Sequence, residues 1–253
     1  MPTKLEVLFT PADYAALYNR DLTQTACVVF DIFRATTTIV TALANGAAAI
    51  IPVAEIKDAL ALRQRHPELL LAGERDGLRI RGNLTGGIDF DLGNSPREFT
   101  AERINGRTIV LSTTNGSRAL RACAHAREVL IGSFLNLSAT AAYLDKHRAK
   151  QVLLVCSGTG EQTAYEDILG AGALVELIES HFSDGEIADS AKVALQTYQS
   201  NSRDLMGAVK HSQNGRRLLA LPDLCDDVPW CLQLDEYSLV AKLEKDSIRK
   251  IKS

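Results

Sequence analysis

The sequence predicts an α/β fold with three layers, α/β/α, built around a largely parallel or mixed sheet. Three segments carry this prediction, because in each one an apolar run ends abruptly at small, hydroxylic or charged residues and a helical pattern follows. The three apolar runs are residues 26–30, 108–111 and 151–155. Since strands alternate with helices along the chain, we expect mainly parallel pairing through helical crossovers.

Each of these strands is followed by a predicted helix, and further apolar runs supply additional strands. The helices cover residues 38–45, 118–125 and 166–180, and the first of them has a good C-terminal stop at Asn45-Gly46. Residues 1–9, 48–53 and 128–131 are interpreted as strands. Residues 73–94 contain six glycines and little helical periodicity, which predicts a long functional loop.

The last quarter of the chain is predicted to be helical and polar. The pattern begins at about Gly185 and covers residues 192–202, 205–219 and 237–252. We therefore expect residues 1–253 to form a single domain in which residues 185–253 are a peripheral, mostly helical part. A chain of 253 residues can bury a core of this kind without disulfides or a structural metal.

Charge and hydropathy exclude several classes of partner. The net charge is −3 and the basic residues are scattered, so nucleic acid is not an expected partner. The first residues lack the pattern of a signal peptide, and the longest apolar stretch, residues 41–53, is interrupted and too short for a bilayer. We therefore expect a cytoplasmic protein that does not contact membranes. Enzymes of this size acting on small molecules are often symmetric, and a homo-oligomer is expected.

Three polar loops, residues 31–38, 112–117 and 157–160, follow the predicted strands and open the predicted helices. In parallel α/β sheets, ligands bind outside the carboxyl ends of the strands, so these loops are expected to converge. The first turn of a helix offers unpaired N–H groups and partial positive charge, which suits an anion such as phosphate. Ordinary helix capping by Ser or Thr is the alternative for either hydroxyl-rich loop alone. Neither loop matches a nucleotide-binding glycine motif.

Acidic and basic side chains lie in or beside these loops. The carboxylates of Asp31, Glu74, Glu166 and Asp167 together resemble a magnesium site, since Mg²⁺ prefers oxygen ligands and is commonly held by one or two carboxylates plus substrate phosphate. Each carboxylate alone could instead cap a helix. Arg34, Arg75 and Arg118 could clamp an anion, although a surface role is favoured for Arg118.

Two known phosphatase arrangements do not fit the sequence. A haloacid-dehalogenase site needs a second aspartate two residues after the first, whereas Asp31 is followed by Ile32 and Phe33. A tyrosine-phosphatase loop needs an arginine six residues after its cysteine, and Gln162 stands at that distance from Cys156. The five cysteines include no C-x-x-C pair, so we expect most of them to be reduced core residues.

Several motifs occurring in order along residues 28–172 resemble the 2-phosphosulfolactate phosphatase (ComB-like) family. They are Asp31-Ile-Phe-Arg-Ala-Thr-Thr-Thr38, Gly73-Glu-Arg75, Asp91-Leu-Gly-Asn-Ser-Pro96, Thr113-Thr-Asn-Gly116, and Glu166-Asp167 with Ala171-Gly172. The resemblance implies an α/β/α enzyme that uses Mg²⁺ to hydrolyse 2-phospho-3-sulfolactate to 3-sulfolactate and phosphate, a step associated with coenzyme M biosynthesis. The chain departs from the family pattern at residues 81–90, where its loop is longer.

Residue roles follow from the resemblance together with the loops described above. The expected catalytic residues are Asp31, Arg34, Glu74 and Arg75. The expected substrate-binding residues are Asn94, Ser95, Thr113, Thr114, Asn115, Gly116, Ser157 and Gly158. The expected metal ligands are Asp31, Glu74, Glu166 and Asp167. Asp31 is the central carboxylate, as nucleophile, base or metal ligand. The alternatives are a phosphatase for another small phosphorylated 2-hydroxy acid and a non-catalytic protein that binds small anions.

Overall fold

In a computed structural model of the chain, residues 4–183 and 186–251 are described. They form a mixed α/β fold with a ten-stranded sheet and flanking helices. The strands are β1 (Lys4–Leu8), β2 (Thr25–Phe30), β3 (Ala49–Val53), β4 (Leu70–Arg75), β5 (Leu78–Arg79), β6 (Thr108–Ser112), β7 (Glu128–Gly132), β8 (Gln151–Cys156), β9 (Val240–Glu244) and β10 (Ser247–Ile251). The helices are α1 (Pro11–Ala15), α2 (Ala35–Ala44), α3 (Ile56–Arg65), α4 (Gly82–Thr85), α5 (Ala101–Ile104), α6 (Gly116–Ala122), α7 (Leu137–His147), α8 (Tyr165–Ile178), α9 (Asp189–Asn201), α10 (Leu205–Val209), α11 (Gln213–Leu219) and α12 (Asp227–Cys231).

The sheet has two parallel blocks separated by an antiparallel hairpin. Its strand order is β1-β8-β2-β7-β9-β10-β3-β6-β4-β5. The first block contains β1, β8, β2 and β7, and the second contains β3, β6 and β4. The hairpin of β9 and β10 pairs antiparallel with β7 on one side and with β3 on the other. The predicted α/β class with a largely parallel or mixed sheet is confirmed.

Helices cover both faces of the first block, as the side-chain alternation of a strand allows. On β2, Val28 and Phe30 pack into a core that includes Leu169 of α8. Val29, which points to the opposite face, packs into a second core with Ile39 of α2. Strands β2 and β8 are buried on both faces, and each is therefore a continuous apolar run in the sequence. The result is the expected three-layer arrangement.

The second core joins the two blocks of the sheet. It contains Val29 of β2 and Leu111 of β6 together with Ile39 of α2 and Leu120 of α6. Because α2 follows β2 and α6 follows β6, packing both helices into one core brings the ends of the two strands together. This common core is what places loops from both blocks around one cavity.

The prediction of a helix over residues 237–252 is wrong, because residues 240–251 form the hairpin β9–β10 in the middle of the sheet. Apolar residues at positions 240, 243, 248 and 251 match a helical period, whereas in the hairpin Val240 and Ile251 pack on one face of the sheet and Leu243 and Ile248 on the other. The turn provides no Gly or Pro signal, since Lys245 itself adopts the left-handed conformation with φ 55°. The helical prediction holds for α9 to α11, whereas α12 lies in a segment predicted as loop and residues 240–251 are a central part of the sheet. Gly185, the predicted start of this part, and Lys252 lie outside the described residues.

The predicted long loop at residues 73–94 is interrupted by regular structure in its first half, while residues 86–94 belong to no helix or strand. Its first residues complete β4 and form a hairpin with β5, and α4 follows. The hairpin turn is Asp76-Gly77, in which both residues have positive φ, at 53° and 78°. Asp-Gly is a favoured pair for such two-residue turns, so the sequence contained a signal for this hairpin.

None of the helices in the described part of the chain is long and apolar enough to span a membrane. The five cysteines are free, and Cys27, Cys123, Cys156 and Cys231 are buried, as expected for core residues.

Candidate active site

A cavity of about 260 Å³ lies where the loops after β2, β6 and β8 meet the β4–β5 hairpin. Eight of the predicted site residues line it: Asp31, Arg34, Glu74, Asn94, Thr113, Thr114, Asn115 and Gly158. Seven others complete the lining: Phe33, Asp76, Gly77, Thr159, Gly160, Asn214 and Arg217. The predicted convergence of the three polar loops is therefore observed.

Asp31 is the first residue after the fully buried strand β2 and stands at the entrance to α2. Its Oδ1 accepts a hydrogen bond from the amide of Ala35 at 3.2 Å, while its own amide donates to Thr36 Oγ1 at 3.0 Å. Burial within the site raises the pKa of Asp31 to about 6, and the negative charges of Glu74 and Glu166 act in the same direction. Asp31 is thus a fixed carboxylate that titrates close to neutral pH.

Gly116 is required by the close approach of the Asp31 carboxylate. A Cβ atom on Gly116 would lie 2.7 Å from Asp31 Oδ2 and 2.9 Å from the Cβ of Ala35. Gly116 is the first residue of α6, so the absence of a side chain lets the N-terminus of α6 lie against Asp31. Gly116 itself does not line the cavity. It was predicted to bind substrate, but its contribution to the site is the space that it leaves for the Asp31 carboxylate.

Glu74, at the end of β4, connects the hairpin turn with the loop after β6. Its Oε1 accepts hydrogen bonds from the amide and the hydroxyl of Thr114, both at 2.9 Å. Its Oε2 accepts from the amide of Gly77 at 2.8 Å. Glu74 still faces the cavity, so it fixes the site wall and presents a carboxylate to a ligand.

The loops after β6 and β8 are joined to each other by Asn115. Its Nδ2 donates to the carbonyl oxygens of Ser157 and Gly160, both at 3.0 Å. Gly158 and Gly160 have φ values of 73° and 59°, in the left-handed region that glycine adopts without strain. The backbone of residues 158–160 therefore forms part of the cavity wall beside Thr113 and Thr114, which is the arrangement expected of an anion cradle.

Asp167, predicted as a metal ligand, lies behind the cavity wall. Its Oδ1 accepts from the amide of Ile32 at 2.8 Å, and its Oδ2 accepts from the amide of Gly158 at 3.1 Å and from Ser157 Oγ at 3.2 Å. Burial raises the pKa of Asp167 well above its usual value, and the charge of Asp31 adds to this. Asp167 and the fully buried Ser157 thus hold the loops after β2 and β8 together and do not line the cavity.

Glu166, the other predicted metal ligand from α8, is also buried behind the wall. Its Oε1 accepts from Asn214 Nδ2 at 2.6 Å, and its Oε2 accepts from Ser212 Oγ at 3.3 Å. Burial raises its pKa, although the hydrogen bond from Asn214 acts in the opposite direction. Glu166 therefore attaches the C-terminal helix α11 to the site.

Arg34 lines the cavity, but its side chain is only 2% exposed and its guanidinium is hydrogen-bonded to two protein groups. Nη1 donates to Asp227 Oδ2 at 2.7 Å, and Nη2 donates to the carbonyl oxygen of Gly77 at 2.5 Å. Asp227 also accepts from Ser95 Oγ at 2.6 Å. The predicted catalytic arginine is thus part of a buried ion pair that reaches from α2 to α12.

Arg75 and Ser95 lie beside the cavity in an adjoining, more open space of about 770 Å³. The guanidinium of Arg75 donates to the carbonyl oxygens of Glu74, Ala54 and Ser112 and to the Ser112 hydroxyl. These bonds fix β4 against β6 and the chain after β3. The structure therefore does not bring Arg75 into the cavity that contains Asp31.

Two buried amide oxygens in the cavity wall have no hydrogen-bond partner among the described residues, Asn94 Oδ1 and Asn214 Oδ1. Buried acceptors are normally satisfied, so these two are expected to meet a donor or a cation supplied by the ligand or by water.

The carboxylates that line the cavity decide whether the expected magnesium ion could bind there. Within residues 4–183 and 186–251, no three His, Cys, Asp or Glu side chains are grouped so as to hold a metal. Asp31 and Glu74 do both reach the cavity, and two carboxylates with substrate oxygens and water are a common Mg²⁺ environment. The residues present therefore fit a magnesium ion held by Asp31 and Glu74, without Glu166 and Asp167.

A thiol nucleophile does not fit this site. Cys156 is completely buried at the end of β8, and burial raises the pKa of its thiol well above the usual value. A reactive cysteine needs the opposite shift.

Of the seven lining residues that were not named as site residues, Phe33, Asp76, Gly77, Thr159 and Gly160 lie in loops that the sequence identified, whereas Asn214 and Arg217 do not. The Asp76-Gly77 pair carried a hairpin signal. For Asn214 and Arg217 there was no local signal, because α11 is an ordinary polar helix and only its tertiary contact with Glu166 brings it to the cavity.

Comparison with known proteins agrees with this geometry. A family model described as 2-phosphosulpholactate phosphatase matches residues 13–246. The chain belongs to the 2-phosphosulfolactate phosphatase family. A probable 2-phosphosulfolactate phosphatase of Caldanaerobacter subterraneus subsp. tengcongensis is 39% identical over 96% of this chain and 97% of that protein. Proteins with the same description from Thermotoga petrophila and Caldicellulosiruptor saccharolyticus are 39% and 34% identical, over 85% and 96% of this chain and 88% and 99% of their own lengths.

Membership of the 2-phosphosulfolactate phosphatase family confirms the resemblance noted in the sequence and identifies the chain as a member of a phosphatase family. The match covers both blocks of the sheet except β1, and it covers α11 and α12 as well as the motif-bearing loops. The similarity therefore extends to every segment that lines the cavity.

Proposed function

We propose that the chain is a Mg²⁺-dependent phosphatase that hydrolyses 2-phospho-3-sulfolactate to 3-sulfolactate and phosphate. The observation that carries this proposal is the meeting of Asp31 and Glu74 with the hydroxyl- and glycine-rich loops at residues 113–115 and 158–160 in one cavity. Carboxylates that can hold a metal and a backbone cradle that can hold phosphate are the two parts that metal-assisted phosphoryl transfer requires. Family membership supports the substrate.

The charge of the cavity supports the requirement for a cation. Its acidic lining residues are Asp31, Glu74 and Asp76, and its basic ones are Arg34 and Arg217. Arg34 is already paired with Asp227, so the protein alone does not offset the charge of a substrate bearing phosphate, carboxylate and sulfonate. A bound Mg²⁺ would supply positive charge to the phosphate and its developing transition state.

Asp31 would perform the central step. With a pKa of about 6 it is ionised near neutral pH, and its hydrogen bond from Ala35 fixes its position. The ionised carboxylate is competent either to attack phosphorus or to accept the proton of an attacking water. The Thr113 hydroxyl and the amide of Gly160 would hold the phosphate oxygens during either reaction, since the amide of Gly158 already donates to Asp167 and that of Thr159 to the carbonyl oxygen of Gln162.

The test is phosphate release from 2-phosphosulfolactate with Mg²⁺ or with EDTA. Asp31→Asn should reduce the rate by at least about 10³-fold, because a group acting directly in the chemical step contributes on this scale. Asp189→Asn is the matched control, since Asp189 is fully exposed on α9. Equal rates with EDTA would remove the metal from the proposal, and an active Asp31→Asn variant would remove Asp31.

A second substrate is favoured by one observation. Arg81, Asn83 and Leu84, from the segment where this chain departs from the family pattern, line the space adjoining the cavity. A phosphorylated 2-hydroxy acid of different size could therefore be the better substrate. Phospholactate and phosphoglycerate should be assayed in parallel, and binding without phosphate release from any of them would favour an anion-binding protein.

A further inference from the structure

Helix α11 contributes two residues to the cavity, Asn214 and Arg217. They are three residues apart and therefore lie on the same side of the helix. Asn214 is held by Nδ2 hydrogen bonds to Glu166 Oε1 at 2.6 Å and to Thr159 Oγ1 at 2.5 Å. Ser212, at the start of α11, donates to the other oxygen of Glu166. This side of α11 is thus anchored to the site.

Arg217 differs from the other arginine of the cavity in its charge environment. Arg34 is buried and paired with Asp227. Arg217 is exposed, and within residues 4–183 and 186–251 its guanidinium forms no salt bridge. The carboxylate of Glu166, whose pKa is raised by burial while the charge of Arg217 acts in the opposite direction, is already occupied by Asn214 and Ser212. Arg217 therefore presents an unpaired cation to the mouth of the cavity.

The position of Arg217 places it beside the part of a ligand that extends out of the phosphate cradle. A Cβ atom on Gly77, in the hairpin turn, would lie 3.6 Å from Arg217 Nη2, which puts the guanidinium next to the turn that Glu74 fixes. Thr113 and Asn115, from the loop after β6, line this cavity as buried residues, whereas Arg217 lines it as an exposed residue. A second anionic group on the substrate would therefore meet Arg217.

We propose that Arg217 is a specificity-determining residue that binds the sulfonate at carbon 3 of the substrate. This inference rests on the proposed function. A guanidinium can donate two parallel hydrogen bonds to two oxygens of a sulfonate, as it does to a carboxylate or phosphate. Arg217 thereby selects substrates that carry a sulfonate in addition to phosphate and carboxylate over simple phosphorylated 2-hydroxy acids, while Asp31 and the cradle act on the phosphate common to both.

Steady-state kinetics with two substrates separates these roles. For 2-phosphosulfolactate, Arg217→Gln should raise KM by about 10- to 100-fold, the loss expected when a charge-assisted contact is removed. For 2-phospholactate, which lacks the sulfonate, KM should change by less than about threefold, because the variant removes no contact that this substrate makes. Arg217→Lys keeps the charge but not the planar fork and should restore part of the affinity.

Arg216→Gln is the matched control. Arg216 precedes Arg217 on α11 and is equally exposed, but it does not line the cavity. The Arg216→Gln variant loses the same charge from the same helix, so a general electrostatic effect would appear in both Arg216→Gln and Arg217→Gln. Equal KM changes in the two variants, or equal losses for both substrates in Arg217→Gln, would overturn the assignment.

Binding of 3-sulfolactate, measured by calorimetry, tests Arg217 independently of turnover. We expect the wild type and Arg216→Gln to bind it and Arg217→Gln to bind at least about tenfold more weakly. If the wild type hydrolyses neither substrate but shows this binding difference, the proposed function fails and the role of Arg217 stands. If wild type and Arg217→Gln bind 3-sulfolactate equally, or neither binds it, the role of Arg217 fails whatever the turnover.

Discussion

The acidic residues of the site show how position separates side chains of the same type. Asp31 and Glu74 reach the cavity, whereas Glu166 and Asp167 lie behind it with their oxygens occupied by donors from loops and helices. Sequence motifs identified all four residues. The motifs could not show which of these residues face a ligand and which are structural, because that depends on which distant loop each carboxylate oxygen contacts in the fold.

The raised pKa of Asp31 implies a cost in stability that the variant Asp31→Asn removes. The folded-state value of about 6 lies above the ordinary 3.8, so the folded protein binds this proton more tightly than the unfolded chain. The cost is therefore present above pH 6 and absent below about pH 4. In EDTA we expect Asp31→Asn to gain about 1–3 kcal/mol of unfolding free energy at pH 7.5 and much less at pH 4.

Urea unfolding of the wild type and Asp31→Asn at the two pH values measures this difference. Asp189→Asn, on the exposed side of α9, should show no gain at either pH. A gain of equal size at pH 4 and pH 7.5 would show that the effect does not come from ionisation of Asp31.

At the scale of elements, the cavity is closed by contacts from segments far apart in the chain. Asp227, in the short helix α12, is completely buried and accepts hydrogen bonds from Arg34 after β2 and from Ser95 before the helical turn at residues 96–98. The three βα units were predictable, because each buried strand and each polar loop has a local signal. The positions of α11 and α12 could not be predicted, because their short sequences do not indicate which distant segments they contact.

Removal of the Asp227 carboxylate should leave the Arg34 guanidinium buried without its ion-pair partner. We expect Asp227→Ala to lower the free energy of unfolding by about 3–5 kcal/mol, the usual effect of breaking a buried ion pair from one side. Asp226→Ala is the matched control, since the neighbouring carboxylate is 73% exposed and pairs with Arg97 at the surface. Its effect should be below about 1 kcal/mol.

Denaturant unfolding monitored by circular dichroism compares the two variants. Similar losses for Asp226→Ala and Asp227→Ala would mean that the buried pair contributes no more than an exposed one.

At the scale of the whole molecule, the site is assembled from both blocks of the sheet. Asp31 follows β2 in the first block, while Glu74 lies near the end of β4 and Thr113 follows β6 in the second. The hairpin β9–β10 stands between the blocks, although the sequence predicted its residues to be a peripheral helix. The class of the fold could be predicted from the buried parallel strands. The hairpin β9–β10 could not be predicted, because its apolar residues follow a helical period and its place in the sheet is set by partners more than a hundred residues away.

A chain that ends at Leu239 should therefore fail to fold, because it leaves the edges of β7 and β3 unpaired and removes buried Ala241 and Ile248. Near-ultraviolet circular dichroism and a urea transition report on this loss. Ile248→Ala should lower the free energy of unfolding by about 2–5 kcal/mol in the full chain, whereas Arg249→Ala, at the exposed neighbouring position, should change it by less than about 1 kcal/mol. A cooperatively folded chain ending at Leu239 would show instead that the two parallel blocks associate through α2 and α6 without the hairpin.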